Sequence, residues 1–350
     1  MSDIRFETTA TRRVSCCSDG SCDSGLPSGV TPVSAVASGA LMGGGRRIGG
    51  WPSRGVLYNS PRFQLGYTIC RPQHDGIGPE NCSGVNVIAF PRRGVFVMRM
   101  PGETFVADPN IVIFQNADDV FRTSHPGGQG DDTTWIALTP EIVEETMREC
   151  DPSAASRPTH PFLSSHGPNS PRTFLLQHLA FEYASRGPDA DAVLIEEVVQ
   201  ELVREAVAIA AAASKRTPPK MRHSTLKVHI DQSEAVKSYI AQRYAQKLTL
   251  EEIAGHVHAA PCHLCRLFRR VVGVPIHRYL NRLRLREAIT RFSDPNANLA
   301  GVAIDVGFAS HSHFTDAFRR EFGVPPSLVR TWLERADLNE VKGALSLKTQ

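Results

Sequence analysis

Lysine is absent from the first 212 residues of this 350-residue chain, which hold 17 Arg against 24 Asp plus Glu and sum to −7. The rest holds 22 Lys plus Arg against 12 acids and sums to +10. A net charge of +3 thus conceals an acidic half and a basic half, and a basic half suits phosphate neutralisation and counterion release. Long apolar runs are missing too. None reaches the ~20 residues of a membrane helix, and MSDIRFETTATRR lacks the apolar core of a secretory signal. The expectation is a cytoplasmic protein without a membrane partner, whose eight cysteines are thiols rather than disulfides. Enzyme signatures are scarce. His74 and His125 stand isolated, the β-rich stretch has no HxH or His/Glu set, and no phosphate loop, nucleotide fingerprint or nucleophile–base pairing appears. No catalytic residue and no cofactor are expected.

The chain is long enough for two domains, and it reads as an α+β multidomain protein. Residues 1–55 form a Cys/Gly/Ser-rich tail without apolar periodicity, expected to be disordered. From Arg62 to Glu141 come short strands at Phe63–Cys70, Asn86–Phe90, Val95–Met100, Glu103–Val106, Ile111–Phe114, Val120–Ser124 and Thr134–Leu138, punctuated by Gly, Pro, Asn and Asp. Regular short strands predict a barrel or jelly roll. Helices at Pro171–Ser185 and Asp191–Ala213 make a hairpin that either covers the barrel or dimerises the protein. Residues 56–213 are taken as one sensor domain. Residues 214–230 carry five Lys plus Arg, no acid and a Pro-Pro pair, and read as a linker. A helical domain follows over 231–335, with a tail at 336–350.

That helical domain holds two helix-turn-helix units, Leu248–Gly273 and Leu299–Gly323. Each has a short apolar helix, a tight turn and a second helix ending in Phe-Arg-Arg before Gly. Ile253, Ala254 and Val257 face Leu264, Leu267 and Phe268 in the first. Val302, Ala303, Val306 and Phe308 face Phe314, Ala317 and Phe318 in the second. The helix between them, about Pro275 to Phe292, carries Arg278, Arg282, Arg284, Arg286 and Arg291. It would hold two recognition helices about one DNA turn, roughly 34 Å, apart, its arginines shared between phosphates and structure.

The ordered set Ile253-Ala254, Leu264, Arg266-Leu267-Phe268, Gly273, Tyr279 to Arg284, Ala303, Gly307-Phe308, Ser312, Phe314, Phe318-Arg319, Phe322-Gly323, Pro326 and Arg330 resembles the DNA-binding domain of the AraC/XylS family of bacterial transcription regulators. The stretch FQNADDVFRTSHPGG, then TTWIALTPE, resembles the end of that family's β-barrel sensor. The resemblance implies a cupin-like barrel for a small effector, promoter DNA and RNA polymerase as partners, a homodimer, and usually activation of transcription. In the first unit Cys262, His263, Cys265, Arg266 and Arg269 face outward, and by resemblance Cys262, Cys265 and Arg266 fall where family members reach bases. Arg266 is the best single candidate, since a guanidinium binds guanine O6 and N7 with two hydrogen bonds. In the second, His311, Ser312, His313, Thr315, Arg319 and Arg320 form the polar set, with Asp316 departing from the usual basic residue.

Two alternatives stay open. Cys16, Cys17 and Cys22 form CCxxxxC in the tail, where they could take a soft metal or oxidise and make the chain a redox- or metal-responsive regulator. Pro261-Cys262-His263 also resembles the reactive site of DNA alkyltransferases, though inside a helix-turn-helix frame.

Overall fold

The computed structural model describes residues 53–72, 76–150, 157, 159–187, 190–215, 223–294, 296–335 and 343. Cys16, Cys17, Cys22 and His74 lie outside the described residues.

Among the described residues ten strands build the first half: β1 Ser53–Asn59, β2 Phe63–Cys70, β3 Asn81–Cys82, β4 Asn86–Gly94, β5 Phe96–Met100, β6 Glu103–Ala107, β7 Ile111–Gln115, β8 Val120–Ser124, β9 Asp131–Leu138 and β10 His166–Pro168. They form a six-stranded sheet in the order β1-β2-β9-β4-β7-β10 and a four-stranded sheet in the order β3-β8-β5-β6. Every pairing is antiparallel. The sheets are open-edged and do not close by hydrogen bonding into one barrel. Val87, Ala89, Phe96, Met98, Phe105, Ile113 and Trp135 fill the space between them. Ile88, Phe90, Ile136 and Leu138 point the other way, under a helical layer. Both faces of β4 are therefore covered, and its apolar run is continuous rather than alternating.

The covering layer is α1 Pro140–Cys150, α2 Pro171–Ala184 and α3 Ala192–Ser214. Ser170 caps α2 through the Thr173 N–H, with Pro171 at the first turn. Asp191 caps α3 by accepting from Val193 and Leu194. Val198, Val199, Leu202, Val203, Ala206 and Val207 are all 0% exposed. The apolar stripe of α3 is thus consumed within the chain, which fits the covering role for the hairpin and leaves that face closed to a second copy.

The second half is all helical: α4 His223–Arg243, α5 Leu250–His256, α6 Pro261–Val272, α7 Ile276–Ile289, α8 Leu299–Asp305, α9 His311–Phe322 and α10 Pro326–Arg335. Residues 223–230, read as linker, are the first turns of α4, and their Val228 and Ile230 are exposed. Ile253, Leu264, Leu267 and Phe268 pack with Val236 and Ile240 of α4 and Tyr279, Leu280 and Leu283 of α7. Val302, Phe308, Phe314 and Phe318 pack with Leu285, Ala288 and Ile289 of α7 and Trp332 of α10. Helix α7 is the member common to both units.

Helix α7 also ties the two halves together. Arg286, 0% exposed, donates through Nη1 to Pro109 O at 2.9 Å and Asn110 Oδ1 at 2.7 Å, and through Nη2 to Asn169 O at 2.5 Å. Tyr279 Oη donates to Asp108 Oδ2 at 2.5 Å. Gly94 N–H donates to Glu287 Oε1 at 3.1 Å. Val95 and Val106 of the small sheet join the core of the first unit, and Val106 N–H donates to Glu234 Oε2 of α4 at 2.6 Å. Expected as one of several arginines shared with phosphate, Arg286 is instead wholly interior. Removing a buried charge that satisfies three acceptors strands them without water. Arg286→Met is expected to lower unfolding stability by about 3 kcal/mol or more, measured by urea denaturation of the full chain.

Candidate nucleic-acid interface

Each unit makes its recognition helix from the same local parts. In the first, Thr249 and Glu252 form a reciprocal capping box at the start of α5. Helix α6 begins at Pro261 and ends at Gly273, whose φ of 87° makes a left-handed cap. In the second, Asn298 caps α8 through the Ala300 N–H, Ser310 caps α9 through the His313 N–H, and Gly323 at φ 75° ends α9.

The turns between the helices differ. The first helices are offset by 49 positions (Leu250 and Leu299) and the recognition helices by 50 (Pro261 and His311), so the second turn holds one residue more. At its left-handed position stands Gly307, φ 96°. A Cβ there would sit 2.8 Å from Ala245 O and 3.0 Å from Tyr244 O, so only glycine lets this turn close on the end of α4. The matching place in the first unit is His258, at φ 51°. An L-residue in that region costs roughly 1–2 kcal/mol, which the surrounding core offsets.

Ten of the eleven expected contact residues are exposed: Cys262, His263, Cys265, Arg266 and Arg269 on α6, and His311, Ser312, His313, Arg319 and Arg320 on α9. Leu264, Leu267 and Phe268 beneath α6 are no more than 3% exposed, and Phe314 and Phe318 beneath α9 are 0% exposed. Thr315 departs from the set, because its Oγ1 is buried. Arg270 and Asp316 share the open faces. A cleft of about 210 Å³ beside α6 is lined by His229, His263, Arg266, Leu267 and Arg270. His229 comes from the start of α4, a stretch whose composition resembles linker. Its ring meets that of His263 edge-on, with centroids 5.8 Å apart.

Several arginines near these helices are structural. Arg282 Nε pairs with Glu321 at 2.8 Å, and Arg284 donates to Tyr244 O at 2.7 Å and Gln246 O at 2.8 Å. Arg291 lies 3.5 Å from Asp305. Behind them, burial pushes the Glu287 carboxyl up to about 7, although the Gly94 N–H, Arg93, Arg291 and Tyr244 all favour its ionised form. Burial likewise lowers Arg286 to about 10 and raises Asp108.

For a metal, one group among the described residues has ligand atoms within reach of one another: Cys70, His125 and Asp131, all buried. His125, isolated in the sequence, is not isolated in the fold. The structure pairs its Nε2 with Asp131 Oδ1 at 2.6 Å and sets its Nδ1 3.9 Å from Cys70 Sγ. The two ring nitrogens thus face different partners, and the ligand atoms of the three residues lie within 4.8 Å of one another.

A helix-turn-helix domain family matches residues 253–331. The activator AarP of Providencia stuartii is 33% identical over 92 residues, which are 26% of this chain and 68% of AarP. The chain belongs to the AraC/XylS family of transcription regulators. The bifunctional transcriptional activator/DNA repair enzyme AdaA of Bacillus subtilis is 29% identical over 97 residues, 28% of this chain and 46% of AdaA. The chain thus spans less than half of that relative. Among solved structures, an apo form of ToxT from Vibrio cholerae is similar over 79% of this chain and 99% of its own, at 12% identity and a TM-score of 0.33.

The Glu287 carboxyl supplies a pH test of the clamp. Its pKa in the fold lies above the ordinary 4.5, so the protonated form is favoured by folding. The associated stability is present below pH 4.5 and is lost as pH rises through about 7. Between those limits the chain is expected to lose roughly 3 kcal/mol relative to Glu287→Gln, read as converging then crossing denaturation midpoints across a pH series.

Proposed function

We propose that this chain is a sequence-specific DNA-binding regulator of transcription, acting as an activator, whose first half takes a small effector. The observation that carries the reading is the pair of capped recognition helices, each with an exposed polar and cationic face over a closed apolar core. A helix of this kind enters the major groove, where base edges carry the full donor and acceptor code. On α6, Arg266 is the base reader, with Cys262 and Cys265 beside it, and His263, Arg269 and the neighbouring Arg270 hold phosphates. On α9, His311, Ser312 and His313 occupy the reading end, with Arg319 and Arg320 toward the backbone. Asp316 accepts from a cytosine amine or restrains Arg320. Thr315 acts indirectly, since its hydroxyl is turned inward.

The first half, read as a cupin-like sensor over 56–213 with the DNA-binding domain at 231–335, communicates through α4 and α7. An effector changes DNA affinity only if it binds the docked and undocked arrangements unequally. The clamp made by Asp108, Asn110, Arg286 and Glu287 supports two such arrangements, because releasing it frees both units at once. A homodimer and contact with RNA polymerase belong to the same proposal, and family membership supports them. The dimer surface is sought away from the closed face of α3.

Arg266→Ala is expected to weaken binding to the chain's own operator by about 1–3 kcal/mol while leaving affinity for random duplex nearly unchanged. Equal losses on both, in a fluorescence-anisotropy titration at fixed salt, would show that Arg266 touches phosphate only.

A further inference from the structure

Cys70 ends β2 and Asp131 begins β9, and the two are direct partners across the antiparallel ladder. Their side chains therefore project from the same face, 61 positions apart in sequence. His125, just after β8, reaches between them. Its Nδ1 is 3.9 Å from Cys70 Sγ and its Nε2 is 2.6 Å from Asp131 Oδ1. Thr133 Oγ1 donates to the other carboxylate oxygen at 2.7 Å. The Arg54 guanidinium sits within electrostatic reach of both Cys70 and Asp131. Cys70 is 7% exposed, His125 6% and Asp131 6%.

We propose that Cys70, His125 and Asp131 form a reactive-thiol site that reduces a small hydroperoxide and is oxidised to the sulfenic acid. Asp131 fixes the ring with Nε2–H toward itself, leaving Nδ1 as the acceptor that faces the thiol. Burial opposes a charged ring, but the hydrogen bonds and charges of Asp131 and Cys70 outweigh it and raise His125 to about 9. As Cys70 attacks, its proton passes to Nδ1, where Asp131 and the charge developing on sulfur hold it, and Arg54 flanks the developing thiolate. The thiolate attacks the terminal oxygen of the hydroperoxide. An S–O bond forms as the O–O bond breaks, sulfur loses two electrons, and the departing oxygen takes the proton from His125 Nδ1 as water or an alcohol. A nearby guanidinium disfavours a divalent cation and favours a thiolate, which separates this reading from a metal site.

The site is joined to the DNA-binding half by a short path. His125 leads directly into the 3-10 turn Pro126–Gly128, which packs on α4. A Cβ added to Gly127 would lie 3.0 Å from Gln242 Oε1 of that helix. The Cys70–His125 gap is already hydrogen-bonding distance, so an oxygen added to Sγ displaces the ring and, with it, the turn against α4. This consequence rests on the DNA-binding reading; the thiol chemistry does not.

The test challenges reduced full-length protein with hydrogen peroxide in the presence of a sulfenic-acid trap and reads each cysteine by peptide mass spectrometry. Cys70 is expected to be trapped about tenfold faster than Cys82, Cys150, Cys262 or Cys265, despite being the most buried of the five. Asp131→Asn is expected to slow Cys70 trapping about tenfold at a temperature where circular dichroism shows the variant folded. Cys70 trapped no faster than Cys82 overturns the proposal. So does a stoichiometric zinc lost on Cys70→Ser. Operator binding is measured in parallel: full trapping at Cys70 with unaltered affinity overturns the coupling through the turn, and untreated protein that binds no operator counts against the DNA-binding reading alone.

Discussion

A guanidinium with no access to water depends on fixed partners, and the position of Arg286 follows from those that hold its Nη1 and Nη2, its buried Nε having none. Its partners are main-chain carbonyls at Pro109 and Asn169 and the Asn110 amide oxygen, all in the β-rich half. Its own backbone lies in the middle of α7. Moving α7 along its axis by one turn, about 5.4 Å, would leave the charge and three acceptors unpaired together. The helix is therefore registered against the loop at residues 108–110. Tyr279 and Glu287 extend the registration in both directions, to Asp108 and to the Gly94 amide.

Because α7 supplies core residues to both helix-turn-helix units, that one registration sets both recognition helices relative to the sandwich. The units themselves tolerate local variation: one turn is closed by glycine against α4, and the other holds a histidine in a left-handed conformation. The difference of one residue leaves the two second helices with the same layers, Leu264, Leu267 and Phe268 in one and Phe314, Ala317 and Phe318 in the other. Packing gives both units the same layers, while the longer turn also requires glycine where it closes on the end of α4.

Elements governed by local periodicity were legible in the sequence. The 3.6-residue pattern, Pro261 at a helix start and Gly273 and Gly323 past helix ends give α6 and α9 nearly to the residue, and β2 and β8 match their expected bounds. What escaped depends on partners far away in sequence. Arg286 and Glu287 look like surface residues of an arginine-rich helix, because their partners are mostly backbone groups up to 193 positions distant. His125 looks isolated because Cys70 lies 55 positions before it, and only the pairing of β2 with β9 brings the thiol alongside. The opening turns of α4 carry basic residues and exposed Val228 and Ile230, so their composition resembles linker. Strands β1, β3 and β10 are edge strands, set by the sheets they join rather than by strong alternation of their own.

The first half meets the DNA-binding half at several places, and two of them differ in kind. The 108–110 loop and Gly94 grip α7 by buried polar contacts that hold or fail as a group, since a half-satisfied network in a low-dielectric interior costs more than none. The 126–128 turn packs on α4, with Gln242 beside Gly127. A signal arriving at the turn therefore reaches α4 without passing through the Arg286 network. A signal that releases α7 must supply the free energy of the whole network through unequal binding to the docked and undocked states. The first route suits a covalent change of one atom, such as an oxygen on Cys70. The second suits a ligand with many contacts. The architecture can thus carry a chemical signal and a binding signal to the same pair of recognition helices, through α4 and α7 respectively, without either needing to cross the other's path.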